Sequence, residues 1–157
     1  MALVFRSMLP DDSGLHPKLG NNASSLGVRY LPEHGERPDV PVNDGIVPPG
    51  RHGMSVSSSP ECLPFFKIPK RFKGRLPEAR GIPDGSNRLV CWQHGEGPFA
   101  DSPFADGLHF LTQPAGHTEH GVVAPATETK VESYCEALAA TRHAWSAVPW
   151  PWEGTES

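Results

Sequence analysis

Proline and glycine interrupt this chain so often that only one stretch, Thr129 to Trp145, can hold a long helix. Proline lacks the backbone N–H a helix needs, and glycine gives up the most freedom when ordered. There are 18 prolines and 16 glycines in 157 residues. That density lies just below the roughly 25–30% typical of disordered chains. Hydrophobic residues make up 37%, a lean share, but a chain of this size can bury one core. The composition excludes a coiled coil, a solenoid and a collagen-like chain. It predicts a loop-rich single domain over 1–157, with the core over about 3–145 and a flexible tail over 146–157.

Within the helical stretch, Val131, Tyr134, Cys135, Leu138, Arg142 and Trp145 share one face. Thr129-Lys-Val-Glu132 matches a capping box, and Pro149 and Pro151 end the pattern. Elsewhere the apolar runs are short and strand-like. Residues 2–8 place Val4, Arg6 and Met8 on one face, and the ordinary expectation for a charge there is an edge strand with Arg6 in solvent. Residues 9–52 offer only brief extended pieces, at Leu26–Tyr30, Asp39–Val42 and Gly45–Val47. From Gly53, Met54 and Val56 alternate with Ser55 and Ser57. Further strands are expected at Asn87–Trp92, Leu108–Leu111 and Gly121–Val123.

Two segments read as loops. Lys67 to Arg75 carries five positive charges and no acid, which predicts a solvated basic face or, functionally, a contact for phosphates or an acidic partner. Pro-Phe-Ala-Asp occurs twice, at 98–101 and 103–106. The pair predicts a mobile surface loop, or a flap carrying Phe99 and Phe104 over a cleft.

The formal net charge is −4, which argues against long nucleic acid as the main partner, since counterion release needs cations. Cys62, Cys91 and Cys135 form no metal-ligand or disulfide pattern. The N-terminus meets Arg6 and Pro10 too early for a secretory signal peptide. No run approaches the ~18 apolar residues of a membrane span. The expected setting is a reducing cytoplasm, reached by some other route if the chain is exported. Phosphate-loop, dinucleotide-loop, serine-hydrolase and zinc-protease motifs are all absent. His117-Thr-Glu119 matches half of a zinc-deaminase signature without its cysteines. His117 and His120 lack a third ligand, so no metal is expected.

What remains is a polar set: Arg6, the serines at Ser55–Ser59, and His120. Each lies on or beside a different short strand, which is how a sheet converges side chains on a cleft. The order of Val4-Phe-Arg6-Ser, Pro38-Asp39-Val40, Gly53-Met-Ser-Val56 and His120-Gly-Val-Val-Ala-Pro125-Ala126 resembles a family of bacterial toxins. These are cytosol-acting type VI secretion effectors of the ADP-ribosyltransferase type.

The resemblance implies an α+β fold, a compact ADP-ribosyltransferase-like split β-sandwich of short strands with few helices. It implies NAD as the bound dinucleotide. Arg6 would hold a ribose or phosphate, Ser55 with Ser57 would support the nicotinamide ribose, and His120 would serve toxicity. A cognate immunity protein or antitoxin and an acceptor of unknown type would be the partners, with no membrane. The late glutamate of many such enzymes has no match by spacing, although Glu119 and Glu128 lie near His120. Transferase and NAD glycohydrolase activities therefore both stay open. The residues also admit a metal-independent ribonuclease toxin, with His120 as general acid or base. They admit, too, a non-catalytic binding or immunity-type module that uses the basic loop.

Overall fold

The computed structural model describes residues 1–30 and 38–153. Its strands are β1 (Val4–Met8), β2 (Ile46–Val47), β3 (Met54–Ser57), β4 (Val90–His94), β5 (Ser102–Ala105), β6 (Leu108–Thr112), β7 (His120–Pro125), β8 (Thr129–Lys130) and β9 (Ser146–Val148). Helix α1 (Val131–Ala140) lies between the last two. Seven strands form one sheet in the order β5-β6-β7-β3-β1-β4-β9, and β2 pairs with β8. Every pairing between named strands is antiparallel. The class is α+β and loop-rich. Among the described residues no helix is long and apolar enough to cross a membrane.

Period-two alternation gives the sheet a core on each face. Along β4 and its lead-in, Val90 and Trp92 pack into one cluster, while Leu89 and Cys91 belong to the other. The first cluster is covered by α1 through Val131, Tyr134 and Leu138. The second is covered by Leu63, Ile68 and Phe72, which come from a run of short 3-10 turns. Trp92 is fully buried in the sheet and donates its indole N–H to Met8 O at 3.0 Å.

Several expectations are corrected. Strand β1 is not an edge: it lies between β3 and β4, and Arg6 is only 4% exposed. Residues 67–75 are not a solvated loop, because Lys67, Ile68 and Phe72 are buried. The doubled Pro-Phe-Ala-Asp segment is not a flap. Phe104 lies in β5, buried, with its ring 4.1 Å from that of His94. Asp101 accepts the Thr112 N–H at 2.9 Å and pairs with Arg51 at 2.6 Å, which ties the first copy down. The segment after 145 is not a tail up to Glu153, since β9 pairs with β4 and Trp150 is 3% exposed. Residues 154–157 lie outside the described residues. Of the three extended pieces in 26–47, only Ile46–Val47 is a paired strand.

The helix also starts later than its sequence pattern. Thr129 and Lys130 are taken by β8, opposite Val47 and Ile46, so the capping box does not form. After α1, a 3-10 turn at Arg142–Ala144 carries the chain to Trp145. The helix is fastened to the sheet by Tyr134. Its hydroxyl donates to Val123 O on β7 and accepts the Met54 N–H of β3 at 3.1 Å. Gly53 permits this approach, since a Cβ there would meet Val123 O at 2.3 Å. Tyr134→Phe leaves both backbone groups unpaired inside the core. The expected loss is about 1–3 kcal/mol, read as a lower urea midpoint at unchanged m-value.

Candidate functional site

The sheet is unevenly paired around β1. Its ladder with β4 pairs five positions, from Val4 to Met8. Its ladder with β3 pairs one, Phe5 with Ser57. The two strands part at this seam, and a cavity of about 310 Å³ lies there. Arg6 and Ser7 of β1 line it, with Ser55, Val56 and Ser57 of β3 and His120 and Gly121 of β7. A further wall comes from Leu63, Pro64, Lys67 and the half-exposed Phe66.

Arg6 acts as a wedge in the parted seam. Its Nη1 donates to Ser55 O at 2.7 Å and reaches Ser55 Oγ at 3.4 Å. Its Nε and Nη2 donate to Ser25 O at 3.2 and 3.0 Å. Nη2 also reaches Ala23 O and Gly27 O, both at 3.3 Å. The guanidinium thus replaces ladder bonds that β1 and β3 do not make, and it fixes the 23–27 loop as the cleft's rim. Burial lowers its pKa to about 10, so it remains a cation at neutral pH. Its charge reaches the cleft, but its bidentate fork is committed to carbonyls.

Lys67 is in the opposite position. Its carbonyl is held by the Ser7 hydroxyl at 2.6 Å, which anchors the turn on β1. The residue lines the cleft at 6% exposure, and its Nζ is enclosed beneath the wall without a hydrogen-bond partner. Burial, followed by the charges of Arg6 and Arg29, pushes its pKa down to about 6. Arg29 also lines the cleft and is paired with Asp39 at 2.9 Å.

The other expected residues are divided. Ser55 is exposed at the cleft. Ser57 is 2% exposed and donates its hydroxyl to Cys62 O at 3.3 Å, so it supports the wall. His120 is exposed, at the start of β7, with its ring stacked 5.1 Å from that of His117. Arg6, Ser55, Ser57 and His120 therefore come together on one cavity, although 114 positions separate the first from the last. Among the described residues no Asp or Glu lines it. The sequence pattern places Lys67 only within a basic loop. The available signal was its setting, Phe65-Phe-Lys-Ile-Pro69, a cation inside an apolar run.

The chain matches no protein-family model, no curated protein and no solved structure.

Proposed function

We propose that the cleft binds NAD and that the chain is a toxin of the ADP-ribosyltransferase type, acting in the cytosol of a target bacterium. The fold in this reading is a split β-sandwich, and the parted β1–β3 seam is its split. The observation that carries it is the convergence on one cavity of Arg6, Ser55 and His120, from three strands, in the order the toxin family uses.

The cavity is at the small end of ligand pockets, which run from roughly 300 to 1,000 Å³. It therefore takes the nicotinamide half of the dinucleotide, and the adenosine half runs over the rim at Phe66. Ser55 and His120 orient the ribose hydroxyls. Arg6 and Arg29 make the wall positive, which suits a diphosphate. Breaking the nicotinamide–ribose bond develops positive charge on the sugar, as in glycoside cleavage. With no carboxylate on the cleft among the described residues, positioning and exclusion of water are the chain's main contributions to rate.

The same cationic, carboxylate-free lining also suits an RNA phosphodiester, with His120 as general acid or base. Expression in a bacterial cytoplasm separates the readings. Wild type should arrest growth, and NAD should raise its Tm by mass action. His120→Ala should lose toxicity at nearly unchanged Tm, because the side chain is exposed. Undiminished toxicity of His120→Ala would remove the histidine from the site. Toxicity with degraded RNA and no NAD-dependent Tm shift would favour the ribonuclease.

A further inference from the structure

An orphaned amine in a polar cleft is costly, and a folded chain keeps such a group where a ligand completes it. Lys67 Nζ has no hydrogen-bond partner and lies enclosed under the wall of the cavity that Lys67 lines with Arg6 and Arg29, whose charges act on it. Arg6 cannot supply a fork, because its donors are held by Ser25, Ser55, Ala23 and Gly27 carbonyls. Arg29 is already engaged with Asp39. Lys67 is thus a wall amine with no donor committed, and it has three N–H bonds to offer once protonated.

We propose that Lys67 Nζ forms a phosphate subsite of this cleft, taking up a proton as one phosphoryl group of the dinucleotide's diphosphate settles against it. The proposal rests on the dinucleotide reading of the cavity, but its central claim concerns the phosphate alone. Among the described residues, the charged groups acting on Nζ are Arg6 on β1, and Arg29 with Asp39 from the chain before β2. His120 of β7 borders the same cavity, and Glu61 on the preceding turn is exposed. Burial first, and then these two cations against one carboxylate, push the empty cleft's amine down to about 6, so it is neutral at pH 7. An arriving dianion reverses that balance. The proton comes from solvent, and the anion gains a charge-assisted hydrogen bond.

The wall then discriminates by charge as well as shape. A nucleoside without phosphate leaves the amine neutral and gains nothing from it. A diphosphate converts the orphan into a bonded ammonium. Linkage makes the coupling measurable, since a ligand that prefers the protonated form tenfold raises the titration midpoint by about one pH unit.

The test follows the Lys67 Cε resonance in full-length chain labelled with 13C-lysine, assigned by its loss in Lys67→Arg. ADP-ribose is the dinucleotide probe, because its diphosphate charge is constant between pH 5 and 9. Nicotinamide riboside lacks a diphosphate, and inorganic sulfate supplies a bare dianion. ADP-ribose and sulfate should each raise the Lys67 midpoint by about one pH unit or more, and nicotinamide riboside should not. A midpoint moved by sulfate but not by ADP-ribose keeps the anion subsite and overturns the dinucleotide as its occupant. If ADP-ribose shifts the His120 imidazole while the Lys67 midpoint stays fixed, the dinucleotide reading stands and the subsite is overturned. If neither anion moves either resonance, both fail.

Discussion

Arg6→Met should lower the stability of the chain on the order of 3–5 kcal/mol, since several buried acceptors lose their donor at about 1–3 kcal/mol each and some regain water. Against a total of about 5–15 kcal/mol for a domain, that is a large share. The guanidinium serves four carbonyls, those of Ala23, Ser25, Gly27 and Ser55. Methionine fills much of the same volume but donates to none of them. Arg6→Lys keeps the charge, but one ammonium cannot span four acceptors from a single point. It should recover less than half of the loss. Urea midpoints give the global effect, and amide exchange at Leu26 and Gly27 gives the local one. Both should change together, because the wedge holds the 23–27 rim as well as the seam. A midpoint unchanged in Arg6→Met would return Arg6 to the role of a ligand-binding group with no part in the fold. The distinction matters for function. On the proposed toxin reading, loss of toxicity in an Arg6 variant would report the collapse of the cleft's rim before it reported any contact with NAD.

The parts of the fold legible in the sequence are those whose apolar residues alternate. Val4 and Met8 announce β1, Met54 and Val56 announce β3, and Leu108 with Phe110 announce β6, because strand period decides which side chains meet a core. The meeting of Arg6, Ser55 and His120 was legible for the same reason, as polar residues borne by separate strands. Pairing with distant segments was not legible. Thr129 and Lys130 carry a helix-start pattern, yet their backbone completes a ladder with Val47 and Ile46. Tertiary hydrogen bonding outweighs a local cap worth about 1 kcal/mol. Charge misled in a similar way. Lys67 and Lys70 look alike in a basic run, but Ile68 and Phe72 turn the segment into the lid of a second core. Lys70 stays in solvent, while Lys67 goes under. A residue's type says what exposure it prefers, and only the packing of its neighbours says what it receives.

Lys67→Met should have the opposite sign from Arg6→Met, raising stability at pH 7 while removing the response to diphosphate. Replacing a buried amine that gives up its proton on folding by an apolar group of similar length gains about 1–4 kcal/mol, on the order of 5–10 °C in Tm for a chain of this size. Methionine suits the test, being unbranched and able to follow the lysine stem. The pH dependence fixes the cause. In the folded chain Lys67 titrates near 6, against an ordinary 10.5. Between those values the unfolded chain holds a proton that the folded chain lacks, so the lysine's contribution to stability rises with pH across that window. Below about pH 6 both states are protonated, and the cost of the buried charge is constant and full. The gap between Lys67→Met and wild type should therefore be widest on the acid side and close as pH approaches 10. Comparing the two proteins cancels groups they share, Arg6 included. Urea midpoints at pH 5.5, 7.5 and 9.5 measure the gap directly. Sulfate should narrow it by stabilising wild type alone, because only wild type has an amine to complete. A methionine variant less stable than wild type at every pH would mean that Lys67 already holds the turn by bonds of its own. The gain in stability and the loss of anion binding would then no longer share a source. On the proposed subsite, the stability that Lys67 costs the empty chain is returned when an anion binds at the β1–β3 seam.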